Sequence, residues 1–164
     1  MKKSVVLNRK GEVILINKKV SDIFLVMVGD GELYPLVSKL LDKTANKKNF
    51  KILPRIGTDK LIDIYKASDI LVVPSIGEAF GFSLIEGMSA GSVPIVSDSG
   101  ALPELVGNAG LVAKTNDYID FAKKMLVVIK NNNLRSLLMK KAINVAKKFD
   151  MENMAKKYYY VYHS

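Results

Sequence analysis

The chain contains no cysteine and a single histidine, His163, which is the penultimate of its 164 residues. Without cysteine the chain has no disulfides, zinc–thiolate sites or thiol nucleophiles. A histidine so close to a terminus is poorly placed to act as a general base, because terminal residues are often poorly ordered. Ser–His catalysis and histidine-based metal sites are therefore disfavoured. Any chemistry must rest on carboxylates, lysines, backbone amides or a partner domain.

Long apolar runs are absent as well. The longest, residues 23–28, is ended by Gly29 and Asp30, whereas a membrane-spanning helix needs about 20 apolar residues. Residues 1–8 combine two lysines with a short apolar patch but have no small-residue cleavage site, so no signal peptide is predicted. We expect a cytoplasmic protein.

Basic residues are in excess and unevenly distributed. Residues 1–113 have 14 Lys and Arg against 12 Asp and Glu, whereas residues 114–164 have 11 against 4. Such a basic region suits an anionic partner, and peripheral contact with the cytoplasmic face of a membrane is one candidate. We favour the simpler interpretation of lysines on the solvated faces of amphipathic helices. No nucleic-acid partner is expected, because aromatic residues accompany the basic ones only at residues 158–160.

Short apolar runs alternate with helical patterns along the chain. The predicted strands are residues 4–7, 23–28, 50–53, 69–73, 93–97 and 110–113; the predicted helices are residues 32–43, 58–67, 82–90, 118–129, 134–148 and 150–162, with a short helix starting at Pro103. This alternation predicts an α/β fold, a Rossmann-like parallel sheet with helices on both faces and a helical carboxyl-terminal tail. Right-handed crossovers place all strand carboxyl ends at one edge, where ligands bind.

Several helix positions are predicted in more detail. Thr58 is predicted to cap the amino terminus of its helix, Asp150 to cap the last helix, and Gly91 to follow the carboxyl terminus of the helix over residues 82–90. Helical spacing predicts a buried face for the first helix, formed by Leu33, Leu36, Val37, Leu40 and Leu41. The same reasoning places Leu61, Ile62, Ile64 and Tyr65 inside the second.

Three loops follow predicted strands and contain residues suited to ligands. The first contains Gly29 and Gly31 on either side of Asp30. A dinucleotide-binding loop would need a further glycine where Tyr34 stands, so no nicotinamide or flavin site is predicted. The third, residues 97–104, has the small residues of a simple connector.

The second loop, residues 74–86, is the most informative. Glycines precede a helix that begins near Phe82, and a helix amino terminus suits a diphosphate because its free amides and dipole are positive. Glu78 precedes this helix and Glu86 lies on it, with seven residues between them. Carboxylates accept hydrogen bonds from sugar hydroxyls. The alternatives are a cap residue for Glu78 and an ordinary exposed helix position for Glu86.

Taken in order and spacing, the motifs resemble the carboxyl-terminal domain of family 4 glycosyltransferases, retaining enzymes of the GT-B fold often called group 1 glycosyltransferases. The resemblance runs from about Lys10 to the end of the chain. Its motifs are Val28-Gly29-Asp30-Gly31, Ala67-Ser68-Asp69-Ile70, Pro74-Ser75, the pair Glu78 and Glu86, Gly91-Ser92-Val93-Pro94, Leu102-Pro103-Glu104 and Phe149-Asp150-Met151-Glu152.

The resemblance implies roles for individual residues. Glu78 would bind the hydroxyls of the donor sugar, Glu86 the ribose hydroxyls, and Lys10 the diphosphate leaving group. The other implied donor-binding residues are Gly29, Gly31, Arg55, Ile56, Ala79, Phe80, Gly81, Phe82 and Ser83, the last four through their backbone amides. The donor would be a UDP, GDP or ADP sugar. No metal ion or other cofactor is expected, because the lysine, the amides and the helix terminus stabilise the diphosphate.

The chain departs from the family pattern in two ways that matter for activity. The family has an arginine five residues before the lysine, where this chain has Val5. A GT-B enzyme also has an amino-terminal acceptor domain, for which 164 residues leave no room. We therefore expect one donor-binding domain, residues 1–164, that is inactive by itself. The alternatives are a non-catalytic nucleotide-sugar binding module and, far behind, an unrelated α/β protein whose basic helices bind a polyanion.

Overall fold

The computed structural model describes residues 3–7, 23–42 and 49–163, with the backbone alone for residues 3–7, 40–42, 151, 154 and 157. The predicted burial of Leu40 and Leu41 therefore lies outside the described side chains. The strands are β1 (Lys3–Leu7), β2 (Ile23–Val28), β3 (Phe50–Leu53), β4 (Ile70–Val73), β5 (Val93–Ser97) and β6 (Leu111–Ala113). The helices are α1 (Tyr34–Asp42), α2 (Thr58–Lys66), α3 (Phe82–Ser89), α4 (Leu102–Val106), α5 (Tyr118–Lys130), α6 (Asn132–Ala146) and α7 (Met151–His163), with a 3₁₀ turn at Lys147–Phe149.

The six strands form one parallel sheet in the order β3-β2-β1-β4-β5-β6. The order reverses between β1 and β4, because the chain proceeds from β1 to one side of the sheet and from β4 to the other. In an open parallel sheet this switch point is where a crevice for ligands opens at the carboxyl ends of the strands. The predicted sheet and its strand bounds are confirmed to within one residue.

Alternate residues of the central strands pack into two separate hydrophobic cores. In β4, Ile70 and Val72 pack on one face with Phe121 and Met125 of α5. Leu71 and Val73 pack on the opposite face; their neighbours there include Tyr65 of α2, Leu84 and Met88 of α3, and Val106 of α4. A strand buried on both faces reads as a continuous apolar run, which is why β2, β4 and β5 were predictable from the sequence.

Helix α6 connects the two faces. Leu138 belongs to the first core, whereas Ala142 and Ala146 belong to the second, where α6 packs beside α3. At the start of α6, Arg135 Nε lies 3.5 Å from Asp69 Oδ1, just before β4 begins. The chain then returns to the opposite edge, where the Phe149 ring meets Phe80.

Some detailed predictions for the helices are confirmed. Asp150 Oδ1 accepts a hydrogen bond from Asn153 N at 2.7 Å, as a cap of α7 should. Gly91 has φ +89° and follows α3, as predicted for the residue after a helix end. The helix predicted from residue 134 begins at Asn132 instead, and Asn131 caps it by accepting a hydrogen bond from Leu134 N at 2.9 Å.

Other helix predictions are wrong. The residue before α2 is Gly57, in an extended conformation, and Thr58 is already helical. Leu33 and Leu36 are 53% and 55% exposed, because α1 begins only at Tyr34 and turns Val37 towards the core. Ile62, predicted to lie inside, is exposed, whereas Leu61 and Ile64 are half-buried and Tyr65 is buried.

Candidate functional site

The glycine-bearing loops meet at the carboxyl edge of the sheet. Residues 29–31 follow β2, residues 54–57 follow β3, and residues 74–81 follow β4. Gly29 N donates to Leu53 O at 2.9 Å, which ties the first of these loops to the end of β3. A cavity of about 400 Å³ opens there; its lining residues are Asp30, Gly31, Glu32, Tyr34, Pro35 and Pro54. Just beyond it Arg55 is exposed and Ile56 half-buried.

Gly81 forms the start of α3. It is buried in the left-handed conformation with φ +73°, and a Cβ there would lie 3.1 Å from Leu102 Cδ2. A side chain would therefore be strained both by the backbone and by the neighbour. The first helical hydrogen bonds run from Leu84 N and Ile85 N to Gly81 O. The amides of Phe82 and Ser83 precede them and lie where an anion binds a helix amino terminus.

Glu78 lies in the loop immediately before α3 and is half-buried. Its Oε1 accepts a hydrogen bond at 3.3 Å from the amide of Gly81, the residue that precedes α3. Its main-chain oxygen accepts from Ala101 N at 3.0 Å. One side-chain oxygen is thus engaged locally, while the carboxylate retains further acceptor positions for a ligand hydroxyl.

Glu86 lies one turn into α3 on its exposed side. The hydroxyl of Tyr65 donates to Glu86 Oε2 at 3.4 Å. Tyr65 belongs to α2 and is only 4% exposed. A residue of the second core therefore contacts the carboxylate for which the family resemblance implies a ribose contact, and it favours one orientation of that carboxylate.

Aromatic residues surround the start of α3. Phe80 and Phe82 are both exposed, with ring centroids 4.7 Å apart. Phe149, which follows α6, meets Phe80 edge to face at 6.2 Å. Ala79 is exposed and Ser83 half-buried. The carboxyl-terminal part of the chain is therefore packed directly onto the loop that contains Glu78.

The predicted phosphate-binding lysine, Lys10, lies outside the described residues. Val5, which stands at the arginine position of the family, lies in β1 paired with Leu25 on one side and Ile70 on the other. Among the side chains that the structure describes, no three His, Cys, Asp or Glu are grouped so that they could hold a metal ion.

Asp98, at the end of β5, has two hydrogen bonds from one residue. Its Oδ1 accepts from the Thr115 hydroxyl and, at 2.7 Å, from Thr115 N. These hydrogen bonds hold the pKa of Asp98 below its ordinary value; the Thr115 hydroxyl has the largest effect and the Thr115 amide the next. Asp98 is thereby tied to the residues after β6.

Comparison with known proteins assigns the family. Residues 12–145 match the family described as glycosyl transferases group 1. The chain belongs to the group 1 glycosyltransferases. It is similar to an uncharacterized glycosyltransferase of Methanocaldococcus jannaschii, with 34% identity over 147 residues that cover 88% of this chain and 42% of the relative.

Solved structures agree on the fold of this glycosyltransferase chain. Sucrose-phosphate synthase from Thermosynechococcus elongatus superposes with a TM-score of 0.85 at 21% identity, over 99% of this chain and 45% of that one. The HepE protein of Anabaena in complex with UDP superposes with a TM-score of 0.83 at 19% identity, over 99% of this chain and 48% of that one. The fold is thus a Rossmann-like half of GT-B type, and the chain spans less than half the length of these relatives.

Sequence reasoning missed several residues around the candidate site. The loop over residues 97–104 was interpreted as a connector, but Ser99 and Gly100 contact the Glu78 loop. Tyr65 was predicted to be buried without its contact to Glu86. Each of these contacts joins residues about twenty positions apart, so the sequence alone carried no signal for them.

One finding bears on membranes. Within the described ranges, no helix is both long enough and apolar enough to cross a bilayer.

Proposed function

We propose that this chain is the donor-binding domain of a retaining glycosyltransferase, which transfers a sugar from a nucleoside-diphosphate sugar to a sugar or lipid-linked acceptor during synthesis of glycans or cell-surface polysaccharides. The observation that carries the proposal is the placement of Glu78 and Glu86 on either side of a glycine-started helix terminus, beside the switch point of the sheet. Carboxylates for hydroxyls and amides for a diphosphate then lie within one short segment.

In this proposal the diphosphate binds at the start of α3. The amides of Phe82 and Ser83 face this position, and the helix dipole adds a partial positive charge. The Gly81 amide is engaged by Glu78 at 3.3 Å, so it would have to exchange that bond for one to the ligand. When the bond between the sugar and the diphosphate breaks, negative charge grows on the departing phosphate. Preorganised amides, with Lys10 as the cation, would stabilise it.

The two carboxylates divide the remaining ligand between them. Glu86, on the side of α3 nearer α2, receives the ribose hydroxyls, with Tyr65 holding one oxygen at 3.4 Å. Glu78, in the loop, receives the hydroxyls of the donor sugar. The base lies beside Arg55 and Ile56, near Gly29 and Gly31. A nucleoside-diphosphate sugar is long enough to need both carboxylates at once.

Turnover requires more than this domain. The chain covers 42% of its Methanocaldococcus relative and 45% of sucrose-phosphate synthase. We propose that an acceptor-binding domain supplies the other wall of the cleft, and that this chain alone binds donor without transferring sugar. The runner-up is a non-catalytic nucleotide-sugar binding module, which Val5 favours because it removes a cation that the family places near the diphosphate.

Calorimetric titration of the chain with UDP, GDP and ADP tests the proposal. We expect saturable binding of one nucleotide, weakened about tenfold or more by Glu86→Ala, because hydrogen bonds to a charged group contribute about 1.5–3 kcal/mol. The matched control is Glu152→Ala, an exposed glutamate on α7 that pairs with Lys156. Binding of none of the three nucleotides, or equal effects of the two substitutions, would contradict the proposed site.

Adding an acceptor-binding domain from a related enzyme separates the two candidates. Transfer of sugar from the donor that binds would support the transferase. Donor binding without transfer, under conditions where the related intact enzyme is active, would support the binding module.

A further inference from the structure

The loop that contains Glu78 is held by the loop between β5 and α4, which we name the β5–α4 loop (residues 98–101). Ala101 N donates to the main-chain oxygen of Glu78 at 3.0 Å. Gly77 N donates to the Ser99 side-chain oxygen at 3.1 Å. Just before this loop, the buried Ser97 hydroxyl donates to Ser75 O. These hydrogen bonds join two segments that are more than twenty residues apart in sequence.

Gly100 fixes how closely the two loops approach. It has φ +60°, and a Cβ placed on it would lie 2.3 Å from the Glu78 carbonyl oxygen and 2.9 Å from Glu78 N. The peptide of Glu78 therefore rests directly on the Gly100 backbone. No other residue fits without displacing Glu78, because both the space and the backbone conformation require glycine.

The residue before Glu78 is a glycine in a left-handed conformation. Gly77 is in the left-handed conformation with φ +73°, and nothing lies within 4 Å of the place where its Cβ would be. Glycine is the residue with the most backbone freedom. The Ser99 hydroxyl therefore restrains the Gly77 amide, while Ala101 N restrains the carbonyl of Glu78.

We propose that Ser99 and Gly100 are positioning residues that set the affinity for the sugar portion of the donor by fixing the Glu78 backbone. The inference rests on the proposed role of Glu78. It separates sugar from nucleotide, because Glu86 is held by other contacts: its helix packs closely on β4 at Gly87, and Tyr65 contacts its carboxylate. Loosening the β5–α4 loop should leave those contacts in place.

The experiment compares the affinity for a nucleoside diphosphate with that for its sugar conjugate, using UDP with UDP-glucose and GDP with GDP-mannose. The measured quantity is the dissociation constant of the nucleotide divided by that of its sugar conjugate. This ratio rises with the contribution of the sugar to binding. Ser99→Ala is expected to lower this ratio about five- to tenfold while changing the nucleotide affinity less than about twofold, as loss of one orienting hydrogen bond would. Gly100→Ala should lower it at least as much.

Matched variants identify the mechanism. Ser99→Thr keeps the hydroxyl and should preserve the wild-type ratio. Ser136→Ala removes an exposed hydroxyl on α6 and should also leave the ratio unchanged. Glu78→Ala should abolish the sugar contribution, and Ser99→Ala should add nothing in that background, since Ser99 acts only through Glu78.

The outcomes distinguish this inference from the function on which it rests. If neither UDP nor GDP nor their sugar conjugates bind the wild-type chain, the proposed function fails and the inference falls with it. If Glu78→Ala abolishes the sugar contribution but Ser99→Ala and Gly100→Ala do not lower it, the inference alone is overturned. Equal weakening of nucleotide and nucleotide sugar by Ser99→Ala would also overturn it, because that result indicates general damage to the fold.

Discussion

Gly87 in α3 lies directly against Leu71 in β4: a Cβ placed on Gly87 would lie 2.4 Å from Leu71 Cδ2. Both residues are buried. The absence of a side chain lets α3 approach the sheet closely. Since Glu86 is the preceding residue on the same helix, this close approach also fixes the position of the Glu86 backbone.

Gly87→Ala is predicted to lower the free energy of unfolding by about 1–2 kcal/mol, since adding a methyl to a packed core forces neighbours to move. Alanine is a better helix former than glycine by about 1 kcal/mol, so a net loss would mean that the steric cost exceeds this gain. Urea denaturation followed by circular dichroism measures the change.

Gly57→Ala is the matched control for this substitution. Gly57 has φ −65°, and nothing lies within 4 Å of its Cβ position. We expect a change within about 0.5 kcal/mol of wild type, because alanine adopts this backbone without strain. If Gly87→Ala were as well tolerated as Gly57→Ala, the close packing of α3 on β4 would be wrong.

The ion pair of Arg135 and Asp69 is largely buried, with side chains 13% and 17% exposed. Arg135 Nη1 is buried without a hydrogen-bond partner among the side chains and backbone described. Asp69→Asn would leave the guanidinium without its counter-charge, and removing one partner of a buried pair is strongly unfavourable. We predict a loss of roughly 2 kcal/mol in unfolding free energy. This is less than the loss expected for a fully buried ion pair, because this pair retains some solvent contact.

A double-mutant cycle with Arg135→Met tests this pair. The loss caused by Asp69→Asn should shrink when the guanidinium is already absent. The exposed pair of Lys156 and Glu152, at 2.9 Å but with side chains 63% and 78% exposed, provides the comparison. Its coupling energy should be below about 1 kcal/mol. Similar coupling energies in the two pairs would contradict the prediction.

The Asp98 carboxylate makes stability depend on pH in a defined direction. Its pKa is held below the ordinary 3.8, first by the Thr115 hydroxyl and then by the Thr115 amide. A carboxylate whose pKa is lower in the folded state than in the unfolded state stabilises the fold at pH values above its unfolded-state pKa. That contribution is lost as the pH falls through the folded-state pKa. Thr115→Val should therefore raise the pKa of Asp98 and destabilise the domain at neutral pH, with the difference from wild type shrinking below about pH 4.

Thr115→Ser controls for the change of side chain. It retains the hydroxyl and should keep the pKa of Asp98 depressed. Carboxyl-carbon NMR titration of Asp98 in the three proteins measures the direction of each shift. An Asp98 titration that is the same in Thr115→Val and wild type would show that the hydroxyl contact does not control the carboxylate.

The elements that were predictable are those defined by local residues. Strand β4 is a continuous apolar run that stops at Pro74, and α3 ends before Gly91, so both bounds were readable from single residues. Thr58 shows the limit. Gly57 takes the extended backbone that a capping residue needs, and Thr58 is drawn into the helix despite its own preference for a cap.

Contacts between distant segments were not predictable. Glu78 and Glu86 stood out because of their spacing, but the contacts that hold their segments come from far along the chain: Ser99 accepts from Gly77 N, 22 positions away, and Tyr65 donates to Glu86, 21 positions away. Which residues face each other across two parallel strands depends on register and packing, which the pattern of one segment does not encode. Phe149 against Phe80 is a still longer contact of the same kind.

Tyr65→Phe is predicted to weaken nucleotide binding about two- to fivefold, the effect of losing one modest hydrogen bond to the Glu86 carboxylate. The phenyl ring keeps the packing of Tyr65 in the second core, where it is 4% exposed. Calorimetry with the nucleotide that binds the wild-type chain measures the change, and thermal unfolding shows whether the fold is intact. In a Glu86→Ala background the substitution should have no further effect on affinity, because the hydroxyl acts through that carboxylate. An undiminished effect there would mean that Tyr65 influences the nucleotide by another route.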